Sequence, residues 1–183
     1  ELVLPELIAK QPIILEDDIL NFLKSRMGKL EALCITGGEP TLYNDLESFL
    51  QKVKQLGFLI KLDTNGTNPA LLSKILDAKL IDYVAMDIKA PLTMKDYNKI
   101  TGIQVNLEDI KQSIEIIKKR LSDYEFRTTV EPLLSEQDIF KIAEYLAPAK
   151  KYFLQEFRTG NTLNPLYNSM RGLGQEELEK IKD

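Results

Sequence analysis

Residues 31–57, EALCITGGEPTLYNDLESFLQKVKQLG, contain the unit from which the fold is predicted. The run EALCIT has the length and apolar character of a β-strand, and a glycine-rich turn follows it. Asn44 and Glu47 stand three residues apart at the start of an amphipathic stretch, which predicts a capped helix that Gly57 closes. The stretch therefore predicts one strand, one turn and one helix.

The same order of strand and helix recurs along the chain. Helix starts are predicted at Asn68-Pro69, at Asn106 with Asp109 and at Ser135 with Asp138, and a further helix over 16–27 ends at Gly28. Four more runs of strand length alternate with these helices: FLIKLD (58–63), DYVAMDIK (82–89), YEFRTTVE (124–131) and KYFLQEF (151–157). One strand per helix is typical of a parallel sheet, either doubly wound or closed into a barrel.

Polar residues at the strand ends favour the barrel. The predicted strands finish in TGGEP (36–40), DTNGT (63–67), DIK (87–89), VEP (130–132) and QEFR (155–158). Within 82–89, one face carries Ala85, Asp87 and Lys89, and the opposite face is apolar. A sheet covered by helices on both sides would bury apolar residues on each face. The pattern therefore predicts an open or partial barrel with a hydrated or ligand-filled mouth.

Composition excludes several functional classes. The chain has 183 residues, 44% of them hydrophobic and 28% charged, and its net charge of -4 argues against a nucleic-acid binder. No apolar run approaches the roughly 18 residues of a membrane span. The absence of histidine excludes Ser-His and Cys-His catalysis. The single cysteine, Cys34, excludes an internal disulfide, fits a reducing cytoplasm and is predicted to be a buried small hydrophobe.

Four segments together resemble one enzyme family. ITGGEPTL (35–42) resembles the GGEP motif of radical S-adenosylmethionine (radical SAM) enzymes, and LDTNGT (62–67), DYVAMDIKAP (82–91) and RTTVEP (127–132) fall at matching strand ends. In this order they resemble the glycyl-radical-enzyme activases, most of all the activating protein of anaerobic ribonucleoside-triphosphate reductase. The resemblance implies a partial TIM-like (β/α) barrel of the radical SAM type over residues 1–158, with residues 159–183 as a tail packing on it.

The resemblance also implies a role for the glycine turn. In the family, the backbone of the GGEP segment holds the amino group of the cofactor's methionine, so Gly37, Gly38 and Glu39 would take that ammonium. Two glycines allow a ligand to approach the backbone closely. A plain strand-to-helix turn is the alternative interpretation of these residues.

Five further residues receive roles from the same resemblance. Asp63, Thr64 and Asp87 resemble positions that bind a monovalent cation beside the cofactor's carboxylate in pyruvate formate-lyase activases. Asp87 and Lys89 are placed to hydrogen-bond the ribose and the carboxylate, and Arg127 to pair with that carboxylate. A helix cap or a solvated loop residue is the alternative for either aspartate alone.

The chain departs from the family in its cysteines. Family members hold a [4Fe–4S] cluster with three cysteines spaced C-x3-C-x2-C, and Cys34 alone cannot supply them. The beginning of the sequence resembles the segment that follows this loop, so we expect a chain that starts after the loop and the first strand. No residue of this chain is then catalytic, and the cluster ligands lie outside it.

The implied activity belongs to the parent protein. It would cleave S-adenosylmethionine reductively and remove a hydrogen atom from a glycine of a partner glycyl radical enzyme. An electron donor such as flavodoxin or ferredoxin is implied, with no nucleic-acid or membrane partner. The alternatives are a radical SAM enzyme acting on a small molecule or RNA, a phosphate- or sugar-binding barrel without radical chemistry, and a non-catalytic interaction module.

Overall fold

The computed structural model describes residues 12–158, residue 167 and residues 169–181. Five parallel strands form one sheet in the order β1-β2-β3-β4-β5, so each strand pairs with the next along the chain. The strands are β1 (Ala32–Ile35), β2 (Leu59–Thr64), β3 (Tyr83–Asp87), β4 (Tyr124–Val130) and β5 (Tyr152–Glu156). A doubly wound sheet would reverse this order at a switch point. The predicted partial barrel is therefore confirmed.

Helices connect the strands. They are α1 (Glu16–Ser25), α2 (Leu46–Gln55), α3 (Pro69–Asp77), α4 (Met94–Thr101), α5 (Leu107–Arg120), α6 (Glu136–Leu146) and α7 (Gln175–Lys180), with a 3₁₀ turn at Pro40–Leu42. Helix α4 was not predicted from the sequence; the Thr93 side chain caps it by accepting a hydrogen bond from the Asp96 N–H.

The two faces of the sheet differ as the alternation predicted. The face beneath the helices is largely apolar and is deeply buried in its central strands, with Ile60, Leu62, Val84, Met86, Ile88 and Phe126 at 0% exposure. The opposite face carries the charged side chains of β2, β3 and β4, which are partly buried. Because all strands are parallel, their carboxyl ends meet at one rim, where the predicted site residues collect.

Most of the predicted helix caps are present. Asn68 and Asn106 accept hydrogen bonds from the N–H groups of Leu71 and Glu108, and Ser135 forms a capping box with Asp138. The predicted capping box of Asn44 and Glu47 is wrong. Helix α2 begins one residue later, after Asp45, without a side-chain cap, and Glu47 pairs instead with Lys74 of α3.

The predicted tail is only partly described. Residues 159–166, 168 and 182–183 lie outside the described residues. Helix α7 places Leu178 against Val130 and Ile139, in a small apolar cluster separate from the main core. None of the helices in the described residues has both the length and the apolar character needed to cross a membrane.

Candidate functional site

An open glycine turn follows β1. Gly37 and Gly38 have φ angles of 96° and 57°, in the left-handed region that favours glycine. A side-chain carbon built on either residue would meet no atom within 4 Å. The turn therefore presents bare backbone to the surroundings, with room for a ligand to approach it.

The carboxylate of Glu39 holds this turn in place. Glu39 is only 7% exposed. Its Oε1 accepts hydrogen bonds from the Thr41 N–H at 3.1 Å and the Thr64 hydroxyl at 2.8 Å, and its Oε2 accepts one from the Asn65 N–H at 2.6 Å. The carboxylate thereby joins the turn after β1 to the end of β2. The backbone of Gly37 and Gly38 is the part of the turn left available to an ammonium group.

Arg127 of β4 bridges two carboxylates on the polar face. Its Nε lies 3.0 Å from Asp87 Oδ1 and its Nη1 lies 3.2 Å from Asp63 Oδ2. Asp87 stands opposite Arg127 in the register of β3 and β4, whereas Asp63 stands opposite Ala85. Because Ala85 carries only a methyl group, the guanidinium can reach across β3 to the carboxylate on β2.

Asp63, Arg127 and Asp87 belong to a row of charged side chains, which two lysines extend in both directions. Lys89 Nζ lies 2.9 Å from Asp87 Oδ2, and Lys61 Nζ lies 3.5 Å from Asp63 Oδ1. Burial acts to lower the pKa of Arg127, but the carboxylates of Asp87 and Asp63 outweigh it and raise that pKa. The guanidinium is therefore a permanent positive charge held between two acids.

Three participants in the network were missed from the sequence. Glu125 Oε1 lies 3.4 Å from Lys61 Nζ and 3.8 Å from Arg127 Nη1, and Tyr83 donates a hydrogen bond of 2.7 Å to Glu125 Oε2. Their signal is the alternation of side chains along a strand, since each lies two residues from one of the predicted site residues or on the same strand face as one of them.

Thr64 and Cys34 lie where local sequence did not place them. The Thr64 side chain is buried at 4% exposure on the face opposite Asp63, where it bonds to Glu39. The prediction of a buried Cys34 is wrong: the residue is exposed and its Sγ lies 3.8 Å from Asp63 Oδ1. Leu33 and Ile35 take the helix-facing side of β1, so the residue between them faces the polar side. Partial burial of the sulfur and the adjacent Asp63 raise the pKa of the thiol.

Glu131 is a further carboxyl group at the rim, beyond Lys89. Burial raises the pKa of Glu131, which follows β4, and the Tyr167 hydroxyl bonds to it. Burial and the contact with Glu131 raise the pKa of Tyr167 to about 12. Tyr167 is thus a neutral phenol that brings a residue of the carboxy-terminal region to the rim.

The chain belongs to the radical SAM superfamily, whose family model matches residues 10–146. Two Methanocaldococcus jannaschii proteins described as glycyl-radical enzyme activating enzymes are 33% identical over 157 residues and 32% identical over 139 residues. The matches cover 82% and 72% of this chain but 65% and 52% of those proteins. A Thermococcus kodakarensis protein described as a GTP 3',8-cyclase is 30% identical over 125 residues, covering 68% of this chain and 40% of that protein.

Solved structures support the same fold. Streptococcus suis SuiB bound to S-adenosylmethionine superposes with a TM-score of 0.68 at 16% identity, over 94% of this chain and 40% of that one. At this identity the match shows the fold alone.

The family uses S-adenosylmethionine and a [4Fe–4S] cluster, and the residues present fit only the first of these. An open backbone turn beside alternating acids and bases matches a ligand that carries an ammonium, a carboxylate and ribose hydroxyls. A four-iron cluster needs several thiolates, and the whole chain has one cysteine. In the described ranges, moreover, no three Cys, Asp or Glu residues converge on a point that could hold a metal ion.

Proposed function

We propose that the protein containing this chain is a radical SAM activase that generates a glycyl radical on a partner enzyme. Two observations support the proposal: the glycine turn lies open beside a charged row on the adjacent strands, and two relatives at about one-third identity are described as such activating enzymes. An anaerobic ribonucleotide reductase is the partner that we favour, with a flavodoxin or ferredoxin as the electron donor. The chain spans at most 65% of those relatives, so the activity is proposed for the whole protein.

The residues of this chain would bind and orient the cofactor. The backbone of Gly37 and Gly38 would accept hydrogen bonds from the methionyl ammonium. Asp87 and Lys89, 2.9 Å apart at the rim, would hold the ribose and the carboxylate. Nε and Nη1 of Arg127 donate to Asp87 and Asp63, and within the described part of the chain its Nη2 has no acceptor. We propose that Nη2 would donate to the carboxylate of the cofactor.

The chemistry itself would come from the bound groups. When bound, the cluster and S-adenosylmethionine would together supply the radical chemistry that removes a hydrogen atom from the partner's glycine. The contribution of this chain is to hold the cofactor at the rim and to keep its charged groups paired. None of the chain's own side chains is proposed to exchange protons or electrons with the substrate.

A second candidate is a radical SAM enzyme that acts on a nucleotide, which the match to the GTP 3',8-cyclase favours. The two candidates share the cofactor site and differ in the substrate. Anaerobic incubation with a glycyl radical enzyme, followed by electron paramagnetic resonance, distinguishes them. A glycine-centred doublet supports the activase, whereas cofactor cleavage that is stimulated by GTP and produces no doublet supports the second candidate.

The cofactor site is tested in the cluster-loaded holoenzyme by Asp87→Asn. A hydrogen bond to a charged group contributes about 1.5–3 kcal/mol, so we expect S-adenosylmethionine to bind roughly ten- to a hundredfold more weakly. Isothermal titration calorimetry measures this affinity. The matched control is Glu47→Gln, which removes the same charge from helix α2, where Glu47 pairs with Lys74 away from the proposed site. Equal affinities in both variants would mean that the carboxylate of Asp87 is structural.

A further inference from the structure

We propose that the guanidinium of Arg127 is a built-in counter-ion for Asp63 and Asp87, so that the barrel binds no sodium or potassium ion between them. The resemblance to pyruvate formate-lyase activases assigns a monovalent cation to Asp63, Thr64 and Asp87. In this chain, a side chain from the neighbouring strand occupies the position between the two carboxylates. The inference concerns the cofactor-free site and goes beyond the proposed activity.

Each oxygen that the cation would need is already engaged. Asp63 Oδ1 and Oδ2 face Lys61 at 3.5 Å and Arg127 at 3.2 Å. Asp87 Oδ1 and Oδ2 face Arg127 at 3.0 Å and Lys89 at 2.9 Å. The remaining oxygen, the hydroxyl of Thr64, donates to Glu39 and accepts from the Gly66 N–H. A hard cation takes several oxygen ligands at once, so binding here would have to compete with Lys61, Lys89 and Arg127 for these oxygens.

The charges of the row are balanced without an added ion. Strand β2 contributes Lys61 and Asp63, the β3 segment contributes Asp87 and Lys89, and β4 contributes Glu125 and Arg127, each pair being one acid and one base. Beyond Lys89 lies Glu131, whose pKa is raised by burial and which is bonded to Tyr167. A sodium or potassium ion would add a positive charge to a row whose aspartates are already neutralised.

Arginine suits this position because of its shape. Its planar fork donates hydrogen bonds in fixed, divergent directions, so that one group can serve two carboxylates. The side chain of Arg127 is 14% exposed, and the small Ala85 between Asp63 and Arg127 leaves space for the bridge. A lysine would offer a single point charge and could not span both acids in the same way.

The inference is tested by urea unfolding of the chain without cofactor in sodium chloride, potassium chloride and choline chloride at equal ionic strength. For the wild type, we expect the same unfolding midpoint in all three salts. A bound cation at about ten times its dissociation constant would raise the folded-to-unfolded ratio roughly tenfold. A wild-type midpoint that is higher in sodium or potassium than in choline would overturn the inference.

The variant Arg127→Gln removes the counter-ion, so its stability should depend on whether the salt supplies sodium, potassium or choline. We expect it to unfold at lower urea than the wild type and to recover stability in sodium or potassium relative to choline. The control is Arg120→Gln, which removes an arginine paired with Asp77 on the exposed surface and should show no difference between the salts. If Arg127→Gln folds and is equally stable in all three salts, Arg127 does not stand in for a cation.

A measurement on the wild type decides the matter if Arg127→Gln does not fold. Sodium-23 magnetic resonance reports a bound ion as line broadening that potassium reverses. We expect any broadening of the sodium signal to remain when potassium is added, because no ion is bound at a specific site. Broadening that potassium abolishes would show a cation site and overturn the inference. Because no cofactor is present, the result stands whether or not the proposed activity is found.

Discussion

At the scale of single residues, Glu39 is the clearest case of a charged group whose role is internal. Its carboxylate accepts hydrogen bonds from the N–H groups of Thr41 and Asn65 and from the hydroxyls of Thr41 and Thr64. The carboxylate is therefore hydrogen-bonded by four uncharged donors on two chain segments. The position of the glycine turn relative to β2 depends on this one side chain.

We predict that Glu39→Gln destabilises the chain, because the amide nitrogen of glutamine cannot accept the hydrogen bonds made to one of the two oxygens. Leaving a buried donor unsatisfied costs about 1–3 kcal/mol, which urea unfolding can measure. The control is Glu47→Gln, where a partly exposed ion pair with Lys74 is lost and the cost should stay within about 1 kcal/mol. Equal costs for the two variants would contradict the internal role of Glu39.

At the scale of elements, the turn after β2 is clamped beneath helix α5. Gly66 has a φ angle of 78°, and its carbonyl accepts a hydrogen bond of 2.7 Å from the fully buried hydroxyl of Ser113. A side-chain carbon on Gly66 would lie 2.0 Å from Met86 Cε and 3.3 Å from Ser113 Cβ. A side chain at residue 66 would therefore displace the end of Met86 and press tightly against Ser113 of helix α5.

We predict that Gly66→Ala is much more harmful than Gly57→Ala. Both residues have positive φ angles, but a side-chain carbon on Gly57 would meet open space. The left-handed conformation costs alanine about 1–2 kcal/mol at either position, and overpacking against Met86 adds about 1–3 kcal/mol at Gly66 alone. Urea midpoints of the two variants measure the difference. A difference below about 0.5 kcal/mol would mean that Met86 moves aside freely.

At the scale of the whole molecule, the apolar cluster at Leu178 joins the carboxy-terminal region to the barrel. Leu178 is 6% exposed and packs with Val130 of β4 and Ile139 of α6, both almost fully buried. Tyr167, which bonds to Glu131, makes a second connection at the same rim. The division into a barrel over residues 1–158 and a tail over residues 159–183 stays a prediction, which the stability of variants in this cluster can test.

We predict that Leu178→Ala destabilises the chain by about 2–3 kcal/mol, the lower part of the range for a buried leucine, because the cluster is small. Leu42→Ala is the matched control, since Leu42 is 70% exposed and its truncation should change stability by less than about 0.5 kcal/mol. A cost for Leu178→Ala as small as that of the control would show that the tail is not part of the cooperative unit.

The amino-acid sequence alone determined the strands, most of the helices and the polar face. Apolar alternation in 82–89 assigned Asp87 and Lys89 to one side of the sheet, and local caps such as Asn68 and the Ser135–Asp138 box marked helix starts correctly. These features follow from backbone periodicity and from hydrogen bonds within a few residues, so the residues nearby in the sequence are sufficient to predict them.

Only the tertiary structure decided which of these side chains meet. Arg127 contacts Asp87 and Asp63 across separations of 40 and 64 residues, and the Glu39 carboxylate bonds to Thr64 across 25 residues. These pairs depend on the register between strands and on the size of Ala85, which periodicity within one strand does not contain. The same reason explains the pairing of Glu47 with Lys74, which depends on the position of a neighbouring helix.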